Sequence, residues 1–118
     1  MKLKKTGGMK YTAMHADLLN IPQSTGNCLL DTSSIVRVEA RSNYCRIYFM
    51  DERKALVVSK VLGWVAYRLP ADMFVRVHRS HLVNRCFIQQ VSGNAAKIIE
   101  LTNGDCVPVS RRRQAVLE

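Results

Sequence analysis

The sequence predicts a mostly-β domain carrying one short helix, and three local patterns predict it. Over residues 44–50 apolar and polar side chains alternate: Cys45, Ile47 and Phe49 fall on one face, Tyr44, Arg46 and Tyr48 on the other. That period of two belongs to a half-buried strand. Residues 97–101 and 106–109 flank Thr102-Asn103-Gly104-Asp105, and Asn-Gly is a strong hairpin signal because both residues tolerate the positive φ of a type I′ turn. Leu62, Val65, Ala66 and Leu69 are spaced as the single apolar stripe of an amphipathic helix.

The elements follow in order. Residues 1–13 read as a flexible basic lead-in, with Lys2, Lys4, Lys5 and Lys10 all before the first acid, Asp17. Such a run serves equally well as a solvated tail. The folded domain is expected over 14–118. A first strand is expected over 14–21, ended by Pro22, with a turn over 23–27. Residues 28–30 and 35–40 read as extended pieces around Asp31-Thr32-Ser33-Ser34, and 55–58 as the return strand of a hairpin with 44–50. Ser59 is the expected N-cap of the helix, since its hydroxyl can accept an orphan backbone N–H, and Pro70 stops it. Trp64 and Tyr67 are expected to pack. Leu82 and Val83 mark a further strand, 87–91 extends, and Ser92-Gly93-Asn94 turns. Pro108 cannot donate to a ladder, so the last strand is expected at a sheet edge.

A chain of 118 residues corresponds to one domain. Its 47% apolar and 23% charged content is that of a folded chain, not a disordered one. Eighteen Lys and Arg against nine Asp and Glu leave a net charge of +9, which favours a polyanionic partner: nucleic acid first, an anionic surface second. Cys28, Cys45, Cys86 and Cys106 form no CxxC pair, and no apolar stretch follows the basic start as a secretory signal would require. The cysteines are therefore expected as reduced thiols in the cytoplasm, mostly buried as small hydrophobes. No apolar run is long enough to insert in a bilayer.

Three clusters carry candidate chemistry. In Arg76-Val77-His78-Arg79-Ser80-His81-Leu82-Val83-Asn84, Arg79 has the planar fork that grips guanine O6 and N7 together. Arg76, His78, Ser80 and Asn84 suit phosphates or loop support; Ser80 and Asn84 suit better the satisfaction of turn backbone groups, and His78 also suits the place of a packed core histidine. Ser110-Arg111-Arg112-Arg113 holds the only run of three like charges. It is expected on an exposed loop or helix start and suits a groove or phosphates, with a solvated tail as the plainer alternative. Arg41-Ser42-Asn43-Tyr44, followed by Arg46, joins two strands; it reads as a β-turn, and turn tips on a rigid sheet often carry binding groups.

These blocks resemble one family. Glu39-Ala40-Arg41-Ser42-Asn43-Tyr44 resembles the E-A-x-x-N-Y stretch of LytTR domains. Residues 74–84 resemble that family's F-x-R-x-H-R-S-x-x-V-N block, and 101–113 its L-x-N-G to P-V-S-R-R ending. The likeness spans roughly residues 14–117, in the family's order and spacing. It implies layered antiparallel sheets with a short helix at the side, and a bacterial transcription factor module that places loops in successive major grooves of duplex DNA. It implies imperfect direct-repeat sites bound by two copies. Carried over by position, Asn43 or Tyr44, Arg79 and Arg111 are the base-contact candidates. Arg41, Arg46, Arg76, His78, Ser80, Ser110, Arg112 and Arg113 are phosphate or supporting candidates. Members often carry a receiver domain; the residues ahead of the first block here are too few for one, so a stand-alone member or an excised fragment is expected. His81 stands where the family often has an aromatic.

Other readings stay open on the sequence. No nucleophile elbow or Gly-rich phosphate loop is present, so no enzyme and no cofactor is expected. His78, His81 and Cys86 match no common zinc spacing. An RNA or single-strand binder would display stacking aromatics on its sheet, and Tyr44 and Tyr48 are the available pair. A protein-interaction module with solubilising charge is the third alternative.

Overall fold

A computed structural model describes residues 18–117. The flexible segment expected over 1–13, and the start of the first strand at 14–17, lie outside the described residues. The chain divides after Ser33 into two units.

The first unit is a hairpin of β1 (Leu18–Gln23) and β2 (Gly26–Asp31). Leu19, Ile21 and Leu30 are buried while their neighbours are exposed, the alternation of a strand pair with one covered face. Pro22 does not end β1; it lies inside the strand, opposite Asn27. A two-stranded ribbon has only edges, and an outward-facing proline costs it no ladder bond.

The second unit holds two antiparallel sheets and the helix. Five strands, β3 (Ile35–Arg41), β4 (Tyr44–Phe49), β5 (Leu56–Val58), β6 (Phe74–His78) and β7 (His81–Asn84), pair in the order β5-β4-β3-β7-β6. Three more, β8 (Ile88–Ser92), β9 (Lys97–Leu101) and β10 (Cys106–Val109), pair as β10-β9-β8. Pro108 therefore stands on an edge strand, as expected. Val36, Val75, Val77 and Val83 of the larger sheet form one cluster with Ile99, Leu101, Val107 and Val109 of the smaller, closed by Phe87, Ile88 and Leu117. Full burial of each such side chain contributes about 1.5–3 kcal/mol, so the two layers are held as one scaffold. Val38, Ile47 and Leu82 are register partners and buried. Helix α1 (Leu62–Arg68) packs against β3, burying Leu62 and Val65, with Leu69 buried just beyond its end.

The alternation of β4 is as expected: Cys45, Ile47 and Phe49 are buried, Tyr44, Arg46 and Tyr48 half-exposed. Four local expectations need correction. Ser59 is not the N-cap; Val61 is, with no side-chain cap bond. The Lys60 N–H bonds back to the Val58 carbonyl at 2.8 Å, a tight turn that delays the helix past Ser59. Tyr67 does not pack and is 87% exposed. Trp64 is half-buried, its ring covered by the Arg68 guanidinium at 3.7 Å. The Asn103-Gly104 turn is not type I′, because Gly104 alone takes a positive φ there, +94°. The Gly104 N–H closes the turn on the Leu101 carbonyl at 2.9 Å, and the Asn103 amide oxygen accepts from Asp105 N–H at 3.0 Å. Of the cysteines, all free, Cys45 is buried and Cys28 half-buried, whereas Cys86 and Cys106 are exposed.

Candidate nucleic-acid interface

Three loops end at the same edge of the second unit because backbone bonds tie them side by side. The first is the two-residue connection Ser42-Asn43 between β3 and β4, closed by the Arg41–Tyr44 pair. Ser42 takes φ +58°, the positive value that tight hairpins demand at a central position. Asn43 is exposed at the tip and Tyr44 half-buried beside it. The second is Arg79-Ser80 between β6 and β7. The Ala40 N–H donates to the Ser80 carbonyl at 2.9 Å, which sets this turn next to the first. The third begins at Ser110 and continues as a 3-10 helix over Arg111–Leu117. The Ser110 N–H donates to the Val77 carbonyl at 2.9 Å, which sets the arginine run next to Arg79. Gln114 anchors its far side through the Ala95 carbonyl at 3.0 Å.

The charged side chains differ in how they are held. Arg79, Arg111 and Arg112 are exposed and Arg113 half-buried. His78, Arg79, Ser110, Arg112 and Arg113 line a cavity of about 310 Å³ between the second and third loops, and the Ser110 hydroxyl there is buried with no hydrogen-bond partner. Arg76 turns back into the second loop. Its Nε donates to the His78 carbonyl at 3.1 Å and its Nη2 to the Arg79 carbonyl at 2.5 Å, so its guanidinium props the turn that carries Arg79. Burial, then repulsion from Arg113, lowers the Arg76 pKa from its ordinary value, while Cys45 opposes the shift. The His78 Nδ1 accepts the Ser80 N–H at 3.1 Å, and its ring stands 5.2 Å from that of His81. Asn84 is buried; its amide donates to the Ile35 carbonyl and accepts the Cys86 N–H, both at 2.9 Å. It satisfies backbone groups, the plainer of its two sequence readings.

Arg46 lies apart from the loop tips. It sits within β4, opposite Glu39 on β3 and Val57 on β5. The same sheet face carries an ionic network of which the sequence clusters included only Arg41. Arg37 bonds Asp105 at 2.8 Å and Glu39 at 3.4 Å, with its guanidinium 3.8 Å over the Tyr48 ring. Glu39 also takes Arg41 at 3.4 Å and the Tyr48 hydroxyl at 3.2 Å. Burial opposes ionisation of Glu39, but Arg41, Arg37 and Tyr48 together outweigh it and hold the carboxyl below its ordinary value. The available signal was the spacing Arg37, Glu39, Arg41, which in a strand puts all three on one face.

Among the described residues, no group of three or more His, Cys, Asp or Glu side chains could hold a metal ion. No helix of the described residues is long and apolar enough to cross a membrane.

Comparison with known proteins agrees with this geometry. The family model described as LytTr DNA-binding domain matches residues 26–118. The sensory transduction protein LytT of Enterococcus faecalis is 34% identical over 80 residues, 65% of this chain and 31% of that protein. The heme-containing CO-sensing transcriptional regulator RcoM 2 of Paraburkholderia xenovorans is 31% identical over 93 residues, 76% of this chain and 34% of that protein. The chain thus spans about a third of the length of these curated relatives. A solved LytTr DNA-binding domain from Bacillus cereus superposes with a TM-score of 0.71 at 23% identity, covering 86% of this chain and 93% of that one, which is a likeness of fold. Both the family match, which takes in all three loops, and the layered sheets that carry them place this chain in the LytTR family of DNA-binding domains.

Proposed function

We propose that this domain reads duplex DNA sequence-specifically for a bacterial transcription regulator, docking its three-loop edge into successive major grooves. The observation that carries the reading is the pair of backbone bonds, Ala40 to Ser80 and Ser110 to Val77, that line up Asn43, Arg79 and Arg111 along one edge. Arg79, exposed on a turn propped by Arg76, has the reach and the fork for a guanine edge. Arg111 and either Asn43 or Tyr44 occupy the flanking loops as further base contacts. Arg112 and Arg113, with the unpartnered Ser110 hydroxyl between the loops, suit a backbone phosphate, and His78 and Ser80 support the central turn. Two copies on an imperfect direct repeat, in the cytoplasm and without catalytic activity of its own, complete the reading.

Duplex is favoured over single strands by one observation. The Tyr48 ring, one of the Tyr44 and Tyr48 pair on that sheet face, is already covered by Arg37 and does not offer a free stacking surface. Selection of bound duplexes from a random pool tests the proposal: a recurring motif, repeated at fixed spacing, supports it. A bound pool with no enriched motif, or tighter binding to single strands than to duplex, overturns it.

A further inference from the structure

We infer that Glu39 is a positioning residue that sets specificity by holding the Arg41 guanidinium away from random DNA backbone. The inference rests on the duplex-binding reading and adds to it an acidic residue at an otherwise basic edge. Arg41 closes the first loop, opposite Tyr44, where an incoming backbone phosphate is expected. Its guanidinium is engaged already: Nε lies 3.4 Å from Glu39 Oε2 and Nη2 3.5 Å from Oε1. Glu39 is itself fixed, because the Tyr48 hydroxyl and Arg37 hold the same Oε1, and Arg37 is fixed in turn by Asp105. The Glu39 side chain is 19% exposed and that of Arg41 45%. The carboxylate therefore stays with the sheet while the guanidinium can be taken from it.

An ion pair whose guanidinium is open to solvent and lies 3.4 Å from its carboxylate is weak, and a phosphate brought close in the right geometry displaces it through a bidentate contact. A loosely engaged duplex, with its phosphates farther off and screened over roughly a Debye length, does not. Arg41 then counts as a phosphate contact in the closely seated specific complex and is withheld in the random one. The fixed negative charge of Glu39 adds repulsion towards any phosphate that approaches before Arg41 has swung out.

The test compares wild type, Glu39→Gln, Arg41→Ala and the double variant. Each is titrated against a selected duplex and a random duplex across a salt series. Glu39→Gln keeps an acceptor for the Tyr48 hydroxyl and removes the charge. It is expected to raise random-duplex affinity about 3–10-fold at low salt and to steepen the log–log salt slope by about 0.9, one phosphate contact. In wild type, Arg41→Ala is expected to weaken the selected duplex only; with Glu39→Gln in place it abolishes the gain on random DNA. Thermal melts establish that the variants are folded, and Arg41→Ala, at an exposed position, carries the test if Glu39→Gln is not. Arg41→Ala weakening both duplexes equally in wild type overturns the inference, as does Glu39→Gln with an unchanged random-duplex slope. A wild type with no preference for the selected duplex overturns the underlying duplex reading as well, whereas a wild-type preference with an unmoved Glu39→Gln slope counts against the role of Glu39 alone.

Discussion

The Ser110 N–H donates to the Val77 carbonyl at 2.9 Å, and Val77 itself is fully buried between the two sheets. A residue of the inter-sheet core thus fixes the root of the arginine run. Arg79 lies two residues further along from Val77 and Arg111 immediately after Ser110. Their separation is consequently set by scaffold packing and not by loop flexibility, the condition under which side chains on turns can read a rigid duplex.

Arg79→Ala is the sharpest test of base reading. Loss of a bidentate guanine contact costs about 1–3 kcal/mol on the preferred duplex and relaxes preference at one base pair. The measurement is a binding titration against the preferred site and its single-base variants. An equal loss on preferred and random duplexes would refute a base-reading role.

Arg112→Ala should behave differently. Arg112 is exposed on the wall of the cavity shared with Ser110, and a phosphate contact there carries no sequence information. Affinity is expected to fall for all duplexes alike, with the salt slope shallower by about 0.9. A change in base preference without a change in slope would move Arg112 from phosphate to base contact.

Asn84→Ala addresses the scaffold. Its buried amide joins the Ile35 carbonyl on β3 to the Cys86 N–H after β7. Removal takes this partner from both backbone groups; the Cys86 N–H lies beside an exposed residue and can turn to water, so the buried Ile35 carbonyl sets the expected loss, about 1–3 kcal/mol of unfolding free energy. Urea denaturation measures it. A loss below about 1 kcal/mol would mean that water reaches these groups.

The sequence disclosed those features whose cause is local. Alternation in 44–50, the stripe in 62–69 and the edge placement of Pro108 each follow from side-chain type at a fixed period. The features it concealed depend on backbone bonds between distant residues or on the exact path of a turn. Ser59 has the chemistry of a cap, but the bond between Lys60 and Val58 carries the chain past it before the helix starts. Asn103-Gly104 has the composition of a type I′ turn, but the Asn103 side chain instead accepts from Asp105, and Asp105 reaches Arg37 on the other sheet. The basic clusters were legible as composition. That Arg76 turns back to prop the Arg79 turn depends on the direction its side chain takes at the end of β6; the spacing of Glu39 and Arg41 puts them on one face, but that Tyr48 of β4 fixes the same carboxylate depends on cross-strand register.

Acid sensitivity of the fold should trace to His81. Burial lowers its pKa from the ordinary 6.5; Glu39 opposes the shift, and His78, Arg37 and Arg41 add to it. Its Nδ1 is buried without a hydrogen-bond partner, so the folded state favours the neutral ring. Below 6.5 the unfolded chain then binds more protons than the folded one. The contribution of His81 is therefore complete above 6.5 and is lost as pH falls from there through the lower folded value. Glu39 acts in a separate window: its folded pKa lies below 4.5, so its contribution is intact above 4.5 and is lost only in stronger acid. Between about pH 5 and 6.5 the two are resolved. His81→Phe, which removes the titrating ring and leaves an aromatic side chain in its place, is expected to flatten the decline in urea midpoint from about pH 7.5 to about pH 5. A wild-type decline retained in full by His81→Phe would assign the acid sensitivity to another group.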